Sequence, residues 1–198
     1  MELIDRIFYG GIEEFRENGA KFTMDSLANR LGISKRTLYE SIPSKKDVIE
    51  LVIDRTFADV KQQQKVIFED GSMAIMDKLK KLFVIVPSYS DMLDYRRVNE
   101  IKFAYPHLYE KVHENINNDW DNTIALLEQG MDSGIIKRKN LVILKALLCE
   151  AFEKLLDGTF LIRNNITYEV AMQEIISVIF EGILVASNQE QQNQEQQN

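Results

Sequence analysis

The sequence contains few of the residues that cross-link chains or interrupt helices. Its 198 residues include one cysteine, three prolines and nine glycines. A single cysteine excludes an intramolecular disulfide framework and a zinc site built from several cysteines. Because prolines and glycines are scarce, the composition favours long helices over collagen-like or linker-rich classes. No apolar stretch approaches the ~20 residues that span a bilayer, so we expect a cytoplasmic protein without a membrane partner.

The sequence also lacks the residue sets that catalytic and metal sites require. No Ser/His/Asp set, glycine-rich phosphate loop or pair of carboxylates stands out, so we expect neither enzyme activity nor a cofactor. His107, Glu110 and Glu114 would share one helical face, but His113 points elsewhere. A solvated helix start explains these residues better than a metal site. Cys149 lies in an apolar run that is typical of an inert core thiol.

Apolar residues recur every three or four positions along most of the chain, which is the spacing of helices. Neither the alternation of a β-strand nor an internal repeat accompanies them. The spacing predicts helices over residues 3–17, 24–31, 35–41, 44–69, 72–86, 91–102, 106–131, 140–163 and 168–187. We therefore expect an all-α fold, in which an N-terminal three-helix unit containing a helix-turn-helix precedes a larger helical bundle.

The composition divides the chain into residues 1–47, a larger helical part over residues 48–187 and a tail over residues 188–198, with the helix 44–69 linking the first two. Residues 140–163 are apolar on almost every side and therefore need cover on every side. They could form the buried centre of a monomer, but a homodimer accounts for them better. The tail contains only Asn, Gln and Glu, so we expect it to be disordered.

The charge of the chain is distributed unevenly. The formal net charge is −7, which argues against non-specific nucleic-acid binding over the whole surface. Residues 30–46, however, contain five basic residues and one acidic residue, a local net charge of +4. A positive segment in an acidic chain indicates a negatively charged partner, although a solvated basic face would look the same.

The same segment has the plan of a helix-turn-helix, since two short helices, 24–31 and 35–41, are joined by a turn that contains Gly32. The second helix would project Ser34, Lys35, Arg36, Thr37 and Tyr39 outward. A helix of this kind fits the major groove of DNA, where Arg and Lys recognise guanine edges. Tyr39 and Lys45 suit phosphates.

The run TMDSLANRLGISKRTLYESIPSKKD, residues 23–47, resembles the TetR-type transcriptional regulators, and the motif-level resemblance extends over residues 3–57. One departure is Ile42, where family members often have an aromatic residue. The resemblance implies phosphate contacts from Thr23, Tyr39 and Lys45. It also implies base or near-base contacts from Lys35, Arg36 and Thr37, with Ser34 beginning the recognition helix.

For the rest of the chain, the resemblance implies a ligand-binding and dimerisation domain over residues 48–187. The homodimer would form through helices 140–163 and 168–187, and the middle helices would enclose a small-molecule chamber. Aromatic residues and Met concentrate in this middle part and suit an apolar ligand. We expect the chamber to be lined by Phe83, Tyr89, Met92, Tyr95, Phe103, Tyr109 and Trp120.

Two functional hypotheses follow. The first is a DNA-binding transcriptional regulator, a repressor that an unknown small-molecule effector releases from a near-palindromic double-stranded operator. The alternative is an all-helical small-molecule-binding or protein-interaction module without sequence-specific DNA binding, which the net charge of −7 favours. Salt dependence distinguishes the two, because phosphate contacts make binding strongly dependent on salt.

Overall fold

The computed structural model describes residues 1–156 and 159–183, within which it contains helices and no β-strand. This confirms the prediction of an all-α fold. The helices are α1 Leu3–Asn18, α2 Met24–Leu31, α3 Lys35–Ser41, α4 Lys45–Glu69, α5 Ile75–Phe83, α6 Val98–Ala104, α7 Pro106–Asn117, α8 Asp121–Asp132, α9 Leu141–Leu156, α10 Thr159–Asn164 and α11 Tyr168–Ile183. The predicted tail and the predicted end of the last helix lie outside the described residues. None of the described helices has the length and apolarity that crossing a bilayer requires.

Side-chain caps begin the helices of the N-terminal part where the sequence predicts them. The hydroxyls of Thr23, Ser34 and Ser44 accept hydrogen bonds from backbone N–H groups three residues later, at 3.0, 3.1 and 3.3 Å. Such caps satisfy donors that the first turn of a helix leaves free. Gly32 ends α2 in the left-handed conformation, with φ 64° and ψ 34°, which glycine adopts without steric cost.

The prediction of one continuous helix over residues 106–131 is wrong, because the structure contains two helices there. The first, α7, ends at Asn117 and the second, α8, begins at Asp121. Asp119 between them has a φ of 61°, a conformation that the short polar side chains of Asn and Asp tolerate. Trp120 spans the break by donating a hydrogen bond from Nε1 to the carbonyl of Ile116, at 2.8 Å. The apolar spacing continues across this break, which is why periodicity alone missed it.

The segment predicted as a helix over residues 91–102 is also different. Two 3₁₀ turns, Ser90–Met92 and Tyr95–Arg97, precede the short helix α6. Asp94 caps the second turn, since its carboxylate accepts a hydrogen bond from the backbone N–H of Arg96 at 3.2 Å. Competition from such local side-chain bonds favours turns over a continuous helix.

The core of the N-terminal helices continues into the larger part of the molecule. Ile7, Leu27 and Leu38 are completely buried between α1, α2 and α3. The same apolar cluster includes Ile101 of α6 and Leu108 of α7. Ile42 is also buried in this cluster, so the departure from an aromatic residue leaves that position apolar and packed. A second core, around Leu79, Leu127 and Leu148, joins α5, α8 and α9.

A buried carboxylate connects α1 to α2. Glu14 is only 2% exposed, and it accepts hydrogen bonds from Arg30 Nε and Ser26 Oγ, both at 2.7 Å, and from Asn18 Nδ2 at 3.1 Å. Arg30 also pairs with Glu13 and Glu17. Arg30 is thus bound to α1, and its charge does not add to the exposed positive surface that the sequence indicated.

The pKa of Glu14 reflects two opposing effects. Burial raises the pKa, but the hydrogen bonds from Ser26 and Arg30, with the charge of Arg30, outweigh burial and hold the pKa below its usual 4.5. A carboxylate with a lowered pKa in the folded state stabilises the fold above its unfolded pKa. This contribution is lost as the pH falls through the folded-state pKa.

We expect Glu14→Gln to lower the free energy of unfolding by about 2 kcal/mol at neutral pH, because it leaves a buried, charge-assisted network incomplete. The difference from the wild type should shrink as the pH falls below about 4.5, the ordinary pKa of the unfolded carboxyl, and through the lower pKa of the folded-state carboxylate. Urea unfolding at several pH values measures both effects. Glu13→Gln is the matched control, since Glu13 is 38% exposed in its pair with Arg30 and should cost less than about 0.5 kcal/mol. Equal effects from the two variants would contradict the role of burial.

Candidate nucleic-acid interface and apolar cavity

The third helix, α3, buries one face and exposes the other. Leu38 faces the core and is completely buried. On the opposite side, the side chains of Lys35 and Arg36 are 63% and 88% exposed, and Tyr39 is 47% exposed. Five of the predicted contact residues, Ser34, Lys35, Arg36, Thr37 and Tyr39, therefore lie together on this helix or at its cap.

Each cation of this surface has an acidic neighbour. Lys35 Nζ lies 2.5 Å from a carboxylate oxygen of Asp25, and Arg36 Nε lies 2.9 Å from Glu40. Exposed ion pairs of this kind contribute only ~0–1 kcal/mol. A phosphate or a guanine edge can therefore replace the carboxylates at little cost.

Thr23 and Lys45 lie beside the turn that precedes α2. Thr23 is exposed, and its hydroxyl caps α2. Lys45 Nζ donates hydrogen bonds to the carbonyls of Ala20 and Phe22, at 2.9 and 3.0 Å, and lies 5.3 Å from the centre of the Phe22 ring. An ammonium group has three donors, so one remains for a phosphate. Lys45 is thus also a structural link between α4 and this turn, a role that sequence spacing did not indicate.

The same turn is held from its other side by α6 and the turn before it. Glu100 accepts a hydrogen bond from the backbone N–H of Ala20 at 2.9 Å and one from Arg97 Nη1 at 3.0 Å. We call this arrangement of Ala20, Arg97 and Glu100 the α6 clamp. Gly19 permits the close approach, since a Cβ there would lie 2.0 Å from a Glu100 carboxylate oxygen, and its φ is 58°. The sequence offered no signal for the clamp, because Ala20 and Glu100 are 80 residues apart.

An apolar cavity of about 260 Å³ lies between the N-terminal helices and the rest of the molecule. Of the residues predicted to line a chamber, Phe83, Tyr95 and Trp120 are in its wall. Sequence reasoning missed the contribution of α1 and α4, whose apolar positions have the same helical spacing as ordinary core positions. Their residues in the wall include Ile12, Phe15, Arg16, Val52, Thr56, Phe57 and Val60.

The other four predicted lining residues lie outside the cavity wall. Tyr89 packs edge-to-face against Phe8, and its hydroxyl lies 3.3 Å from that of Thr56. Phe103 is 79% exposed. Tyr109 lies under the ammonium group of Lys102, 5.3 Å from the ring centre. Met92 ends the 3₁₀ turn Ser90–Met92 and is half-buried. Their places depend on where the chain turns after Pro87, which the sequence pattern did not reveal.

The two tyrosines of the cavity wall are neutral. Tyr95 and Tyr168 stack with their ring centres 4.2 Å apart and their planes 18° apart. Burial raises the pKa of both phenols well above the usual value of 10.0. Both rings therefore keep their hydroxyl protons at physiological pH. Among the described residues, no group of three His, Cys, Asp or Glu side chains is arranged to hold a metal ion.

Comparison with known proteins shows similarity to transcriptional regulators over most of the chain, beyond residues 3–57. No family model matches. An uncharacterized HTH-type transcriptional regulator, YvaF, from Bacillus subtilis (strain 168) is 27% identical over 168 residues, covering 85% of this chain and 88% of that one. A TetR-family transcriptional regulator from Marinobacter aquaeolei VT8 has a TM-score of 0.69 at 19% identity, over 93% of this chain and 92% of its own. The ketosteroid transcriptional regulator KstR2 of Mycobacterium tuberculosis has a TM-score of 0.61 at 15% identity, over 93% and 96%. The chain has the TetR-family fold.

The TetR-family fold confirms the resemblance that residues 23–47 indicated. The sequence motif ended near residue 57, whereas the structural likeness covers 93% of the chain. The larger helical part therefore shares the fold of these regulators, although its sequence carried no motif. Low identity with a shared fold is the expected result when apolar spacing is kept and individual residues change.

We expect Lys45→Ala to lower the free energy of unfolding by about 1–2 kcal/mol, because the carbonyls of Ala20 and Phe22 lose a charged donor. Thermal or urea unfolding measures the change. Lys46→Ala is the matched control, since Lys46 is the next residue and pairs with Glu50 of its own helix, at 3.7 Å. If both variants were as stable as the wild type, the structural role of Lys45 would be wrong.

Proposed function

We propose that the chain is a DNA-binding transcriptional regulator, a repressor that a small molecule releases from a near-palindromic operator. The observation that carries this proposal is the surface of α3. The helix α3 belongs to a TetR-type helix-turn-helix and presents Lys35, Arg36, Thr37 and Tyr39 to solvent. Its Leu38 is buried in the core on the opposite side. The relatives, which are transcriptional regulators by name, support the same function. The protein would act in the cytoplasm and would have no enzymatic role.

In this proposal, residues 1–47 form the DNA-binding domain and residues 48–187 bind the effector and the second protomer. Lys35, Arg36 and Thr37 contact bases from the major groove, where each well-placed contact discriminates by ~1–3 kcal/mol. Thr23, Tyr39 and Lys45 contact phosphates at the groove edges. Ser34 begins the recognition helix, and the N-terminal N–H groups of α3 add a further site for a phosphate.

The proposed homodimer uses the exposed apolar side of α9, α10 and α11. Within one protomer, α9 buries Leu144 and Leu148 but leaves Val142, Ile143 and Leu147 at 76%, 65% and 57% exposed. The helices α10 and α11 also expose apolar residues, namely Phe160, Ile162, Val170 and Val178. A large exposed apolar patch is typical of an interface. Two-fold symmetry would place the two α3 helices in half-sites about 34 Å apart.

The effector would bind in the cavity and act on the spacing of the two DNA-binding domains. The cavity wall includes α1 and α4, which also carry the core of the DNA-binding domain. A ligand that binds best to a form with wrongly spaced α3 helices lowers DNA affinity by linkage. The helix α4 is one connection between the cavity and the DNA-binding domain. The α6 clamp is a second connection, because Glu100 of the ligand-binding part binds the turn before α2.

The alternative is a helical small-molecule-binding module without sequence-specific DNA binding. The net charge of −7 favours it. A DNA-binding protein would instead show a steep fall of affinity with salt. The first experiment is therefore selection of bound sequences from random DNA fragments at low salt, with sequencing of what the purified protein retains. Failure of a folded, ligand-free sample to retain any DNA would favour the alternative.

We expect Arg36→Ala to lower affinity for the selected site by ~1–3 kcal/mol and to relax specificity at one base position. Fluorescence anisotropy with the selected duplex and with single-base variants measures both effects. Arg138→Ala is the matched control, because Arg138 is also highly exposed and paired with one acid, Asp132, at 2.9 Å, but lies far along the chain. If both variants lost the same DNA affinity, Arg36 would act through its charge alone and not through contacts with bases.

We expect Leu147→Glu to convert the dimer to a monomer at micromolar concentration. Each protomer would place one charge in the apolar interface, and burying an unpaired charge is strongly unfavourable. Sedimentation velocity measures the change. Val66→Glu is the matched control, since Val66 on α4 is 60% exposed but lies outside the proposed interface. A dimer that survives Leu147→Glu would place the interface elsewhere.

A further inference from the structure

The apolar cavity extends along one face of α4. Four wall residues of this helix recur at intervals of four, namely Val52, Thr56, Val60 and Gln64. Residues at that spacing share one side of a helix. From Val52 to Gln64 the helix axis advances about 18 Å, at ~1.5 Å per residue. A volume of about 260 Å³ over that length makes the cavity long and narrow, a shape that fits an unbranched chain.

The end of the cavity near Gln64 is aromatic. Trp120 lies between Phe83 and Phe152, with ring centres 6.3 and 6.4 Å away, and all three line the wall. The two charged residues at this end, Lys61 and Asp119, pair with each other at 2.6 Å. The aromatic end, defined by these three rings, therefore suits an apolar group and has no charge to offer an ionic one.

The contacts between α1 and α4 show that the two helices run in opposite directions. Asp5, near the start of α1, pairs with Arg55 at 2.8 Å, whereas a Cβ on Gly11 would lie 2.7 Å from Val48. Later residues of α1 thus lie beside earlier residues of α4. Arg16, in the last turn of α1, therefore lies toward the N-terminal end of α4, opposite the aromatic end of the cavity.

Arg16 lies where the cavity meets solvent. It shares one face of α1 with Ile12 and Phe15, since the three residues are spaced by three and four positions, and all three line the cavity. Ile12 is buried, whereas Arg16 is exposed. The face of α1 that closes the cavity thus ends in a cation that both solvent and a molecule in the cavity can reach.

This cation has no counterion within the described part of the chain. The adjacent acid, Glu17, pairs with Arg30. Asp94, which also lines the cavity, pairs with Arg96 at 2.7 Å. No carboxylate of residues 1–156 and 159–183 forms an ion pair with Arg16. Arg16 is therefore the wall residue whose charge is available to a ligand.

We infer that the effector is an amphipathic anion, whose unbranched apolar chain lies along α4 toward Trp120 and whose negatively charged head group binds Arg16. This inference rests on the effector cavity of the proposed function and specifies its ligand class. A guanidinium group binds such oxygens through two parallel hydrogen bonds. Because Arg16 is exposed, the head group keeps part of its hydration, and the cost of burying a charge is small.

The same placement brings the head group close to the DNA-binding domain. Arg16 precedes by three residues Gly19, where the turn held by the α6 clamp begins. A ligand bound to Arg16 therefore acts at the base of the helix-turn-helix.

Four probes with the same alkyl chain test the inference by isothermal titration without DNA, below the concentrations at which they form micelles. Octanoate and octyl sulfate carry negative head groups and distinguish a carboxylate from a sulfate. The neutral probe is 1-octanol, and octylammonium is the cation. Trp120 is the only tryptophan of the chain, so its fluorescence reports whether the alkyl chain reaches the aromatic end.

We expect the wild type to bind the better anion about fivefold more tightly than 1-octanol, which is the factor that an ion pair at a solvent edge provides. Octylammonium should bind most weakly. Binding should quench or shift the fluorescence of Trp120. From hexanoate to decanoate, affinity should rise up to about fourfold for each methylene group buried.

Two variants of Arg16 test the head-group contact. Arg16→Gln should abolish the preference for the anion while leaving 1-octanol binding unchanged, and Arg16→Glu should make octylammonium bind more tightly than octanoate. Lys21→Gln is the matched control, because Lys21 is an exposed cation five residues later that lies outside the cavity wall, and it should keep the preference. Thermal unfolding without ligand checks the fold of each variant.

The outcomes separate the inference from the proposed function. If 1-octanol binds as tightly as both anions, or if Arg16→Gln keeps the preference, the anionic class is overturned and the cavity remains an apolar ligand site. If the anions bind without any change in Trp120 fluorescence or any gain with chain length, the placement along α4 is overturned. If no probe binds, both the inference and the effector cavity are overturned. The DNA-binding function is tested separately, by the selected duplex.

Discussion

The turn between α1 and α2 determines how the helix-turn-helix is held against the rest of the molecule. Lys45 at the start of α4 binds the carbonyls of Ala20 and Phe22 on one side, and Glu100 of α6 binds the N–H of Ala20 on the other. Gly19 makes the approach of Glu100 and Arg97 possible through its positive φ and its lack of a Cβ. Because α2 begins at Met24, directly after this turn, its position and that of α3 follow from these contacts.

In the proposed mechanism, the same contacts connect the cavity to the exposed surface of α3, which the cavity does not touch. Tyr95, in the 3₁₀ turn before α6, lines the cavity. Arg97 of the same turn binds Glu100 of α6, and Glu100 binds the turn before α2. The α1 and α4 helices contribute both to the cavity wall and to the core that contains the helix-turn-helix. Packed elements of this kind move between discrete arrangements rather than deforming gradually. Under the proposed function, a ligand that shifts this segment would change the position of α3 through these contacts.

The four N-terminal helices could be predicted from the sequence because local chemistry determines them. Ser and Thr caps, the glycine at the end of α2 and the proline after α3 act on neighbouring residues only. The middle of the chain was predicted less well. The break at Asp119 is hidden by apolar spacing that continues through it, and only Phe83, Tyr95 and Trp120 of the predicted lining residues are in the cavity wall. Apolar spacing marks the buried side of a helix but does not distinguish a core position from a cavity position.

The sequence by itself determined the all-α class, the helix-turn-helix and the outward face of α3, since each depends on residues within a few positions of one another. Only the tertiary structure decided the remaining features. It paired Arg30 with Glu14 and placed Lys45 against backbone carbonyls. It also brought Glu100 to Ala20 across 80 residues of chain. It also left the Tyr95 hydroxyl without a partner. These features depend on which helices meet, and that choice comes from packing the whole apolar surface rather than from any local pattern.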